Sequence, residues 1–225
     1  MRINQFWVRI MGLSGIIGGL ILFAGDMLLY YHPTNPSLNQ NMGNASDFKI
    51  KASAVTALFA TWFYLIGVGQ IYYAFKPTRA ILRNIIVACF ASILIAFGIV
   101  HGAFIAIATS AKLATEHGID MQSATSLAIE TNNMMRLFVY PIFAILSLVF
   151  IAQVWKRKTL YPRWIILFFP LIPFLLQDLV CKYLPDNLWV VIYGGYLNLI
   201  LIIFFIASTI ALWNVKTSQE SFLKN

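Results

Sequence analysis

Charge is what this 225-residue chain has least of: 11% of its residues are Asp, Glu, Lys or Arg, against about a quarter in a soluble globular domain. With 60% hydrophobic residues and a mean hydropathy of +0.78, too little polar surface remains to cover a water-soluble globule, which leaves a polytopic membrane protein. Cysteine is nearly absent. Cys89 and Cys181 lie within or at the edge of apolar stretches, without CxxC or Cys/His spacing, which speaks against a zinc site and a disulfide framework. Acidic residues number 8 against 16 basic ones, and in a membrane protein that surplus marks cytoplasmic loops rather than nucleic-acid binding. Also missing are the G-x-S-x-G, P-loop, H-E-x-x-H and Rossmann fingerprints. Whether the protein is an enzyme stays open on sequence alone, with the balance toward no, and no cofactor is implied. His32 and His117 fall in expected loops, so a three-His metal site around His101 is not expected.

What the chain does have is long apolar runs. Hydropathy places six spans, at about residues 10–31, 53–75, 84–110, 134–155, 164–181 and 188–213, each long enough to cross about 30 Å of hydrocarbon, the fifth only if upright or in a thinned bilayer. The expected architecture is therefore all-α, a single six-helix transmembrane bundle. The first run follows Arg2 and Arg9 but exceeds the length of a signal-peptide core and lacks an Ala-x-Ala site, so it reads as a retained span. Eleven of the sixteen basic residues, among them Arg9, Lys76, Arg79, Arg83, Lys156, Arg157, Lys158, Arg163, Lys216 and Lys224, then fall on the side that holds both termini, which the positive-inside rule makes cytoplasmic. Trp7, Tyr72, Tyr73, Trp155, Tyr161, Trp164 and Trp213 are expected as anchors at the inner interface, and Tyr30, Tyr31, Tyr183 and Trp189 at the outer one. Residues 32–52 read as an irregular loop. Residues 111–133, with scattered apolar positions and no Pro, read as an interfacial helical hairpin covering the outer face.

Nine polar or ionisable residues lie inside or at the ends of these spans, all toward the outer side: Asp26, His101, Asn132, Arg136, Tyr140, Gln177, Asp178, Tyr193 and Asn198. A charge at mid-bilayer costs about 2.5–3.5 kcal/mol on insertion scales, so such residues gather around a pocket or lock a bundle. Asn132, Arg136 and Tyr140 stand four apart and form one stripe. Arg136 is the natural counter-ion for Asp26 or Asp178, or an anion clamp. Gly12, Gly15 and Gly19 read as a packing face for another helix, and Pro170 and Pro173 as kinks in the fifth span. The inner halves hold little polarity beyond Gln70 and Gln153, which weakens a channel or carrier reading.

Several segments carry a resemblance: Gly25-Asp26-Met27-Leu28-Leu29-Tyr30, Tyr64-Leu65-Ile66-Gly67 with Gln70-Ile71-Tyr72, Lys76-Pro77, Leu160-Tyr161-Pro162-Arg163-Trp164 with Pro170, and Asn198 with Phe204-Phe205 and Leu212-Trp213. Through them the chain resembles a family of bacterial integral membrane proteins defined as a domain of unknown function. The resemblance implies a multi-span protein of the bacterial inner membrane and carries no activity. Three functions follow as expectations. The first is a polar pocket in the outer half that binds a small amphiphilic or lipid-like ligand among the membrane lipids, lined by the nine residues. The second is a proton-coupled transporter. The third is a non-catalytic scaffold or partner subunit. The oligomeric state is not readable.

Overall fold

The computed structural model describes residues 4–33, 35 and 37–215, with residues 186 and 187 described for their backbone alone. Arg2, Thr34, Pro36, Lys216 and Lys224 lie outside the described residues. The chain is all helical: α1 (Gln5–Tyr30), α2 (Leu38–Gly43), α3 (Asp47–Ala74), α4 (Ala80–His117), α5 (Met121–Trp155), α6 (Ile165–Phe168), α7 (Leu171–Leu175), α8 (Gln177–Cys181), α9 (Asp186–Gly194) and α10 (Tyr196–Leu212). Local chemistry sets several ends. Asn4 accepts a hydrogen bond from the Phe6 N–H to open α1, and Ser46 does the same for Lys49 at α3, each satisfying an otherwise orphaned donor. Asp120 caps α5 by accepting from the Ser123 N–H at 2.8 Å, a bond that holds its carboxyl below the usual carboxylate range.

Four helices, α1, α3, α4 and α5, are long and apolar enough to cross a bilayer, and α9 with α10 makes a fifth if the pair, bent by 69°, is one span. The expected fifth span at 164–181 is not one helix. It is broken into α6, α7 and α8, because Pro170 opens α7 and Pro173 sits inside it, each without an N–H to give to the preceding turn. The helical hairpin expected at 111–133 is present, but as the continuation of two long helices rather than a separate element: α4 and α5 run on into it, at 38 and 35 residues, reaching about 50–57 Å each. They meet at Gly118, whose φ of +64° is the left-handed geometry a glycine adopts without strain at a helix end. The 32–52 segment is less irregular than expected, since α2 forms within it and Asn41 donates to the Tyr30 and Asn35 carbonyls at 2.8 and 3.0 Å.

α1 lies between α3 and α10, α4 packs on α3, α5 on α4, and α2 on α4. Small residues permit the close fit: a Cβ built on Gly67 of α3 would stand 2.8 Å from the Gly15 Cα of α1. The bundle thus has two ends. One, the terminal end, carries Arg9, the 75–79 turn and the 156–163 turn. There Phe75, Phe90, Phe150, Phe169, Phe204 and Phe205 interlock, with Phe150 and Phe169 stacked at 4.3 Å. The other, the hairpin end, carries α2 and Gly118. Outward faces are apolar, with Leu20, Leu58, Ile66, Leu148 and Ile210 all exposed, which is how a chain looks when its solvent is lipid.

Candidate functional site

Asp26 lies one turn before the end of α1 and is buried. Both of its oxygens are engaged: His101 Nδ1 of α4 donates to Oδ1 at 3.0 Å, and Asn198 Nδ2 of α10 donates to Oδ2 at 2.6 Å. The network continues on each side. Asn198 Oδ1 accepts from the Tyr64 hydroxyl at 3.5 Å. His101 Nε2 stands 2.9 Å from Ser53 Oγ and 3.2 Å from the Ser53 carbonyl. Four helices, α1, α3, α4 and α10, are tied at one depth. Among the described residues, Arg136 pairs with neither of the carboxylates expected for it, Asp26 or Asp178; at Asp26, His101 takes that place.

Ser53, His101 and Asp26 stand in the order of a hydrolase triad, which is recognised by geometry rather than chain order. Burial decides against that role. Ser53 is 0% exposed, it does not line the adjoining cavity, and its hydroxyl donates to the Gly25 carbonyl at 2.9 Å. No substrate carbon can reach its Oγ.

Beside this network is a cavity of about 480 Å³, lined by α4 and α5 and by α1, α2, α7, α8, α9 and α10. Its hairpin-side half presents Asp26, His101, Asn132, Asn133, Arg136, Tyr193 and Asn198, while its deeper half presents Phe90, Leu94, Phe143, Leu146, Pro170 and Leu201. The depth from Phe104 to Phe90 along α4 is about 21 Å. Below the floor the aromatic cluster seals the bundle, with Phe90 and Phe204 stacked at 5.5 Å.

Of the nine residues singled out from the sequence, Asp26, His101, Asn132, Arg136, Tyr140, Gln177, Tyr193 and Asn198 line this cavity. Asp178 does not; it is exposed on α8, about 100° around the helix from Gln177. Asn132 donates to the Val100 carbonyl at 3.0 Å, fastening α5 to α4. Three tyrosines expected as interfacial anchors are buried instead, Tyr73 among them at 2% exposure. Tyr30 is 5% exposed and lines the cavity, and Tyr161 is 4% exposed. Tyr161 belongs to a second network at the terminal end, in which its hydroxyl meets Ser208 Oγ at 2.7 Å, Ser208 donates to Gln70 Oε1 at 2.7 Å, and Gln70 Nε2 donates to the Val8 carbonyl at 3.1 Å. Sequence reasoning missed Ser53, Tyr64 and Ser208. Short hydroxyls within apolar runs carry little hydropathy signal, and only Tyr64 fell in a segment the family resemblance had picked out. Among the described residues, no three His, Cys, Asp or Glu side chains gather as a metal site.

An apolar exterior, four to five bilayer-length helices and polar groups turned inward define a helical, multi-pass membrane protein. Within that class the chain belongs to the family of unknown function DUF6796, whose profile matches residues 1–215. No curated protein and no solved structure matches it at a significant level.

Proposed function

We propose that this protein binds a small amphiphilic or lipid-like molecule in the cavity between α4, α5 and α10. The observation that carries the reading is the gradient along that cavity: amides, hydroxyls and charges at the hairpin end, hydrocarbon and aromatic rings at the floor. A pocket of this size and lining suits one small ligand, and the division between its halves suits a molecule with a head and a chain. Transport is less well supported, because a route across would have to pass Phe90, Phe150, Phe169 and Phe204, none more than 2% exposed.

In this reading the protein sits in a bacterial inner membrane, with the terminal end cytoplasmic and the hairpin end outside, as the basic residues Arg9, Lys76, Arg79, Arg83, Lys156, Arg157, Lys158 and Arg163 favour. The broken segment α6 to α8 supplies most of a sixth crossing. Tyr161 meets Ser208 and Tyr196 donates to the Pro173 carbonyl at 2.7 Å, so from 161 to 173 the segment climbs beside α10 by about 18 Å at helical rise.

Native mass spectrometry tests the ligand. Wild type released gently from the membrane is expected to carry one amphiphile, and Val139→Trp, which fills the cavity from α5, to carry none. A wild type that retains nothing and takes up neither single-chain nor diacyl lipids sinks the reading.

A further inference from the structure

Arg136 is the charge that the cavity walls leave unanswered. Its Nε is buried without a hydrogen-bond partner. Among the described residues its guanidinium joins no ion pair, and what it touches is the Phe104 ring, 5.2 Å from the centroid. The nearby carboxylate acts on it only through space and gives it no hydrogen bond, with Asp26 Oδ1 committed to His101 and Oδ2 to Asn198. A guanidinium has five donors in a planar fork and no acceptor. Held against an aromatic ring in a wall of low dielectric, those donors stay costly until oxygens meet them. The other polar groups that line this part of the cavity, on Asn133, Gln177 and Tyr140, carry no charge, and both oxygens of Asp26 are already engaged, so the unpaired guanidinium is the group left to meet an anion.

We infer that the ligand is a single-chain anionic amphiphile, whose carboxylate or phosphate is gripped by Arg136 and whose chain runs between α4 and α5 to Leu146. This rests on the amphiphile-binding reading above and adds the charge of the head and the number of chains. The charge follows from the fork: planar, two-point recognition of carboxylate or phosphate oxygens is what arginine does better than any other cation. The chain number follows from size. A cavity of about 480 Å³ lies toward the small end of single-ligand pockets, the size of a one-chain molecule rather than a diacyl lipid. The way in is lateral. Tyr140 lines the cavity yet is 49% exposed, and its ring lies 6.3 Å from that of Phe174 across the gap between α5 and α7.

The test is a competition titration on the purified full-length protein with radiolabelled hexadecanoate, displaced by unlabelled hexadecanoate, hexadecyl phosphate or hexadecanol. Wild type is expected to bind either anion about ten- to a hundred-fold tighter than the alcohol, as loss of a charge-assisted hydrogen bond implies. The ratio of the two anions tells which head is preferred. Arg136→Gln is expected to erase the advantage of the anions while still binding the chain, and Arg136→Lys, which keeps the charge and loses the fork, to fall between. Equal binding of anions and alcohol by wild type overturns this inference and leaves the amphiphile reading in place. Binding of none of the three overturns both. Because the anion-to-alcohol ratio is measured on wild type, the result does not depend on either variant folding.

Discussion

Asp26 shows how a carboxylate is kept inside an apolar bundle: each oxygen has a donor from a different helix, and each donor is itself held from behind. Removing the acceptor should therefore hurt more than changing its charge. Asp26→Ala leaves His101 Nδ1 and Asn198 Nδ2 facing nothing, and is expected to destabilise by about 1–3 kcal/mol. Asp26→Asn still accepts from Asn198 and can donate to His101, so it is expected within about 1 kcal/mol of wild type, the range of interhelical hydrogen bonds in membranes. Thermal unfolding followed by loss of monodisperse protein ranks the two, and equal losses would contradict the network. Ser53 offers a second check. Buried beneath His101 and donating to Gly25, it is expected to resist a fluorophosphonate probe in the folded protein, whereas labelling that disappears in Ser53→Ala would make it a nucleophile after all. The charged members of this set were legible in sequence because ionisable groups stand out in hydrocarbon. Their pairing was not. Arg136 looked like the partner of Asp26 or Asp178 on charge alone, and the choice of His101 at Asp26 depends on how α1, α3 and α4 meet.

At the scale of elements, α1, α3, α4 and α5 were readable because a run of apolar residues long enough to span a bilayer is a property of composition. The return of the chain was harder. Hydropathy sees 164–181 as one run, while Pro170 and Pro173 divide it into three short helices that lean on α10 through Phe169, Phe204 and the Tyr196 hydroxyl. α5 carries a third such feature, Pro141, which removes the N–H that would serve the Leu137 carbonyl. It falls where α5 changes character: Leu146, Phe150 and Val154 below it are buried in the core, and Tyr140 and Leu137 above it are exposed. Contacts between α1 and α3 depend on glycine in a way that can be measured. Gly67→Ala brings a methyl to 2.8 Å from Gly15 and 3.0 Å from the Phe205 ring, and overpacking of that kind costs about 1–3 kcal/mol. Gly102→Ala, on α4 with nothing within 4 Å of the new Cβ, is expected to be neutral or to gain up to about 1 kcal/mol from helix propensity. If both substitutions act alike in thermal unfolding, the close approach of α1 and α3 is wrong.

The bundle is packed shut with aromatic rings at the terminal end and holds, toward the hairpin end, a cavity that stops short of crossing. A chain built this way should admit small solutes to the cavity from one side only, and cysteine accessibility can ask which side. On a background of Cys89→Ser and Cys181→Ser, single cysteines at Leu127, Asn133, Leu146 and Thr159 sample the hairpin, the cavity mouth, the cavity floor and the 156–163 turn. In sealed right-side-out vesicles, a membrane-impermeant maleimide is expected to label Leu127→Cys and Asn133→Cys directly and to leave Thr159→Cys untouched until the membrane is opened. Leu146, at 1% exposure and beneath a lining of Val139 and Phe143, is expected to react only with a small membrane-permeant reagent, and to be protected when hexadecanoate is present. Labelling of Leu146→Cys by an impermeant reagent from the cytoplasmic side would mean that the aromatic seal of Phe90, Phe150, Phe169 and Phe204 opens. The same residues would then have to be read as a gate, and the cavity as one half of a path.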